Sequence, residues 1–148
     1  MAKKATIADA QLIVQLYDLR RESEMRKARN WYFAEFHPES VADFSAAMFG
    51  EHSGHLRMVT TYWDMAAALV NNGAISMEMF NAANGEHIGV FAKLEPLLKE
   101  IRAAFAPEYL EQFEKLIDAT PGGRKRTSEA RERMKQYRAQ IAKMSAQA

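Results

Sequence analysis

The sequence predicts an all-α fold, an irregular bundle of about six helices, on three observations. From Leu56 to Gly73 the chain reads LRMVTTYWDMAAALVNNG, with Leu56, Val59, Trp63, Ala66 and Val70 at alternating spacings of three and four. That spacing is one face of a helix. Met58, Tyr62, Met65 and Leu69 add a second apolar stripe, so this helix is expected to be buried over most of its circumference. A second regular pattern runs through Phe80, Asn84, His87, Phe91, Leu94, Leu98, Ile101 and Phe105. Finally, no window shows the two-residue alternation of a half-buried strand, and no period of solenoid length occurs. The short connection Asn71–Ser76 places the first two patterns side by side, as a buried antiparallel hairpin of 56–72 with 77–105.

The other elements follow from local chemistry. Thr6 is placed to cap a first helix, with Asp9 in its opening turn where negative charge suits the helix dipole. Leu12, Leu16 and Leu19, flanked by Ile13 and Tyr17, form its apolar face. Ser23 opens a helical stretch with Met25, Ala28, Tyr32 and Phe36 on one side, widened by Trp31 and Phe33. The pattern leaves open whether Arg21–Glu24 bends the chain or lies inside one long helix. His37-Pro38 ends that stretch, because a residue before proline avoids the helical region. Ser40 caps VADFSAAMF, Gly50 terminates it, and GEHSGH reads as a loop leading into the central helix.

Asn72-Gly73 is a left-handed cap that stops the central helix, and Ser76 opens the next one. Pro96 falls inside the 80–105 pattern and predicts a kink. Gly85 and Gly89 on the same helix predict close approach of a neighbour, or a cleft. Pro107 suits the first turn of PEYLEQFEKLIDA. Thr120-Pro-Gly-Gly is the strongest breaker and the candidate hinge between a body, 1–121, and a tail, 122–148. The tail carries a thin stripe of Met134, Tyr137 or Arg138, Ile141 and Met144, which suits a weakly docked or partner-dependent helix.

Bulk properties narrow the function classes. A chain of 148 residues can bury a full core without disulfides or metal, and it has no cysteine for a thiolate site or nucleophile. The longest apolar run, Met65 to Val70, is too short to cross a bilayer, and the start lacks a signal-peptide run. A cytoplasmic protein without membrane contact is the expectation. Net charge is +1, but the tail holds eight Lys or Arg against two Glu, a net +6, leaving −5 on the rest. Such a tail can bind its own body, a protein partner or a polyanion.

Four groups of residues could carry function. If the hairpin pairs in register, Asp64 lies level with Asn84 and one turn from His87, with Thr60 and Thr61 nearby. An Asp that orients a His suits general base work, while a buried polar network that fixes helix register is the competing reading. His52, His55 and Glu51 could share a metal ion in a Gly-flanked loop, but no third ligand with supporting spacing is visible and no Glu-x-x-His occurs. Arg124, Lys125, Arg126, Arg131, Arg133, Lys135 and Arg138 could meet a polyanion. Tyr137 is the one aromatic among them, and the interleaved stacking residues of a nucleic-acid binder are missing. The methionines of the central region and the run Trp31-Tyr32-Phe33 favour core filling or a subunit interface. No phosphate loop, dinucleotide fingerprint or nucleophile elbow occurs, so no cofactor is implied.

The runs YWDMAAALVNNGAI, MFNAANGE and VFAKLEPLL, with LYDLRRESEMRKARNWYF before them, resemble a family of small uncharacterised bacterial helical proteins over roughly residues 12–117. The resemblance implies a helical fold and a bacterial cytoplasmic setting, and it supplies no catalytic residues. The function expected from the sequence is a non-enzymatic helical module that self-associates as a homo-oligomer or binds a protein partner. A small-molecule or enzymatic site at Asp64, Asn84 and His87, and polyanion binding by the tail, are the alternatives.

Overall fold

A computed structural model describes residues 2–148, and among these the fold is all-helical. The first helix, α1 (Ile7–Arg20), starts as the sequence requires: Thr6 and Asp9 form a reciprocal capping box. Asp9 does more than its dipole role. Its carboxylate also accepts from Lys3 Nζ at 2.8 Å and from the Ser76 backbone N–H at 3.1 Å, pinning α1 to the turn after the central helix. The ammonium of Lys3, together with these N–H and O–H donors, holds the Asp9 carboxyl down to about 2. Leu16 is buried, whereas Leu19 and Tyr17 are exposed, so the inward face of α1 is narrower than expected.

The chain does bend at Arg21–Glu22, and the Glu22 carboxylate caps α2 (Ser23–Ala34) by accepting from Met25 N–H at 3.0 Å. Helix α3 (Val41–Phe49) carries the Ser40/Asp43 capping box. The central helix α4 (Ser53–Asn71) begins three residues before Leu56, so the second half of the expected GEHSGH loop is helix. Leu56, Val59, Trp63, Ala66 and Val70 are buried as expected. Met58 and Met65 of the second stripe face outward, because α4 is covered on two sides and not all round. Gly73 closes the helix at φ +78°, a left-handed conformation that glycine adopts without a Cβ clash.

The partner expected for α4 is not one long helix. Residues 77–104 form α5 (Met77–Ala83), α6 (Glu86–Leu94), a 3-10 turn at Glu95–Leu97 and α7 (Leu98–Ala104), so the helices outnumber the six expected. The break between α5 and α6 comes from Asn84, whose backbone is extended (φ −130°, ψ 139°), with Gly85 taking the N-cap of α6. Pro96 accounts for the second break, where the kink appears as a 3-10 turn. Helix α4 therefore packs chiefly between α2 and α8 (Glu111–Ala119), and only secondarily against α5 and α6.

Pro107 does not open α8. It sits in a turn that ends at Leu110, in a left-handed conformation at φ +56°, and α8 starts one residue later. The N-terminus of α8 is satisfied by Asp64 of α4, which accepts from Phe113 N–H at 2.8 Å. The Thr120-Pro-Gly-Gly breaker is a close junction. Gly122 is left-handed at φ +66°, and a Cβ on Gly123 would lie 1.9 Å from the Ile117 carbonyl oxygen. From there α9 (Gly123–Ala146) runs back along α6 and α8.

Candidate functional site

The expected Asp64, Asn84 and His87 cluster does not form. Asp64 faces α8, and burial raises its carboxyl against the N–H donors that hold it. Asn84 donates its side-chain amide to Phe80 O at 3.0 Å within its own turn. Thr60 and Thr61 donate back to the Leu56 and Arg57 carbonyls of α4. His87 is fully buried between Trp63 and Phe80, with ring centroids 5.5 and 5.2 Å away, and neither ring nitrogen has a hydrogen-bond partner. Burial first, then the charges of Arg126 and Arg20, pull its imidazole down to about 4. One continuous second helix would place these residues level, but the extended Asn84 redirects α6. Trp63, not Asp64, meets His87.

His52 and His55 also turn to aromatic packing. The His52 ring stacks on Trp31 at 4.8 Å and on His55 at 5.6 Å, and its Nε2 lies 3.6 Å from Glu51. Among the described residues, no three His, Cys, Asp or Glu side chains gather as a metal site requires.

The basic tail divides into two halves. In its first turns α9 buries Gly123, Thr127 and Ala130 and is anchored by charge. Arg124 reaches three carboxylates: Asp118 at 2.6 Å, Glu114 at 2.8 Å and Glu95 at 3.0 Å. Arg131 donates to Glu95 at 2.9 Å and to the Ala92 carbonyl at 2.8 Å. Arg102 of α7 joins the network through Glu114 at 2.6 Å. Lys125 and Lys135 pair only with Glu129 and Glu132 of α9 itself. Arg126, Arg133 and Arg138 make no ion pair among the described residues. Beyond Met134 every residue of the helix is exposed. Tyr137, Ile141 and Met144 lie 61%, 63% and 65% exposed on one stripe.

One arrangement was missed from the sequence. Lys93 of α6 extends under the last turn of α2, and its ammonium donates to Tyr32 O at 2.6 Å, Phe36 O at 2.6 Å and His37 Nδ1 at 3.1 Å. His37 Nε2 donates in turn to Ala34 O at 3.1 Å, which fixes its tautomer. Helix α2 ends without glycine, so its final carbonyls need a donor from elsewhere, and Lys93 supplies it. Burial, then the charge of Arg138, pulls the Lys93 amine down to about 7. The signal available in the sequence was the missing cap in FAEFHP; the lysine that answers it lies some sixty residues away, as the Tyr32 contact shows.

No helix among the described residues is long and apolar enough to cross a membrane. A comparison with curated proteins and another with solved structures each found no match. A family model matches residues 5–120, ending where α8 gives way to α9. The chain belongs to the family described as a domain of unknown function, DUF4760.

Proposed function

We propose that this chain is a non-enzymatic helical module that works by self-association, with the distal half of α9 as its contact surface. One observation carries the reading: Tyr137, Ile141 and Met144 form a largely exposed apolar stripe that no other described residue buries. Met134, Tyr137, Ile141 and Met144 repeat at spacings of three, four and three, the pattern of a helix seated along a partner surface. Charge points to a second copy as the occupant. The segment 122–148 carries +6 and the remainder −5. Arg124 and Arg131 are engaged by their own body, but Arg126, Arg133 and Arg138 pair with no carboxylate among the described residues and remain to complement the body of another copy. Two such tails side by side would gather like charges, with Arg133 and Arg138 flanking the stripe. The outward stripe of α1, with Ile7 and Val14 exposed beside Asp18, offers an apolar strip edged by a carboxylate.

In this reading residues 1–121 form the body and 122–148 an appended contact unit. The end of the family match at Thr120 supports that division. Polyanion binding is the weaker reading, because Arg124 and Arg131 are already engaged by the carboxylates of the body. Light scattering on the purified chain, the variant Tyr137→Glu and the variant Ile7→Glu tests the proposal. The expected result is a dimer for the parent and monomers for both variants. A parent that stays monomeric at every concentration would refute self-association.

A further inference from the structure

A second feature lies midway along α9, beside the exposed stripe, and it stands whether or not that stripe is a contact surface. Where α2 ends, α6 turns at Pro96 and α9 crosses, the surface forms an open pocket of about 270 Å³. His37, Lys93, Leu97, Arg131, Met134 and Arg138 are among its walls. We propose that this pocket binds a small amphiphilic anion, a carboxylate on a short apolar chain, with its head at Arg138 and Lys93 and its chain along Leu97 and Met134.

Charge argues for the head group. Lys93, Arg131, Lys135 and Arg138 line the pocket, and Glu39 is the one carboxylate lining it among the described residues. Arg131 is answered by Glu95 at 2.9 Å and Lys135 by Glu132 at 3.4 Å, whereas Arg138 pairs with no carboxylate among the described residues. Burial chiefly lowers both Lys93 and His37, and the Arg138 guanidinium adds a smaller like-charge repulsion that a bound anion relieves. The two cations play different parts. The Tyr32 and Phe36 carbonyls and the His37 ring engage the protons of the Lys93 amine, which burial leaves only partly charged near neutral pH, so a bound anion favours its charged form from behind. Arg138 retains its planar fork of donors for a carboxylate.

The walls argue for the chain. Pro38, Ala92, Pro96, Leu97 and Met134 make the remainder apolar, and a concave, mostly apolar pocket with a few polar groups is the usual form of a small-molecule site. A bare inorganic anion would leave that surface unused. Occupancy joins residues of the family domain to residues of α9, so the ligand also fastens the tail to the body.

Calorimetric titration of the full chain with hexanoate tests this, with hexylammonium and inorganic phosphate as comparators. Hexanoate is expected to bind, and Arg138→Gln, a change at an exposed position, to weaken it about tenfold. Hexylammonium is expected not to bind, and phosphate to bind more weakly than hexanoate. Absence of hexanoate binding at millimolar concentration would overturn the proposal, as would undiminished affinity in Arg138→Gln or equal binding of hexylammonium. Phosphate binding as tight as hexanoate would overturn the amphiphilic class.

Discussion

Helices α4 and α9 are the two longest in the chain, at 19 and 24 residues, and they are held in place by opposite means. Helix α4 buries Leu56, Val59, Trp63, Ala66, Ala67 and Val70 between α2 and α8, and its position rests on removing apolar surface from water. Helix α9 buries only small groups, Gly123, Thr127 and Ala130, and its position rests on Arg124 and Arg131 reaching Glu95, Glu114 and Asp118. Burial holds an element under all mild conditions. Partly exposed ion pairs hold it conditionally, since salt and competing charges weaken them. A contact unit that must change partners suits the second kind of attachment, and a scaffold suits the first.

The largest effect belongs to α4. Trp63→Ala removes a ring packed against Tyr62, Phe80 and His87, and is expected to cost about 3–5 kcal/mol in urea unfolding. A loss below 1 kcal/mol would mean that α4 is not the buried centre.

Acid sharpens the same contrast. His87 lies against α4, and its folded value of about 4 is below the 6.5 of a free imidazole. The unfolded chain therefore binds the proton more readily. Stability from the neutral ring is complete above the unfolded value and is lost as pH falls from there toward the folded one. By pH 4.5 the loss attributable to His87 is expected to reach about 2 kcal/mol. Subtracting the pH profile of His87→Leu from that of the parent isolates it, and superimposable profiles would contradict the burial of this ring.

Two smaller effects separate the helices further. Asp64→Ala removes the cap that α4 gives to α8 and is expected to cost about 1 kcal/mol, with no dependence on salt. Arg124→Ala is expected to cost less than about 1 kcal/mol in dilute buffer and almost nothing at high salt. If Arg124→Ala costs as much in molar salt as in dilute buffer, its ion pairs do not latch α9.

What could be read from the sequence follows the range of the forces involved. The capping boxes at Thr6 and Ser40, the Gly73 cap and the buried face of α4 are local patterns, and each is found where its residues predict it. The break at Asn84 was hidden because Phe80, Asn84 and His87 keep helical spacing even though the backbone does not. The register of the candidate cluster failed with it. Lys93 under α2, Asp9 on Ser76 and Asp64 on Phe113 each join residues far apart in the chain, and no periodicity encodes such pairings. The apolar stripe of the tail was legible because its spacing is local; its exposure depends on what surrounds it.

Amide hydrogen exchange at two protein concentrations is the most direct test of a buried scaffold carrying a charge-latched contact helix. Protection across residues 56–70 is expected to be high and independent of concentration. Protection across residues 137–146 is expected to be near zero in dilute solution and to rise as copies associate. Protection in the tail that is the same at both concentrations would contradict self-association through α9.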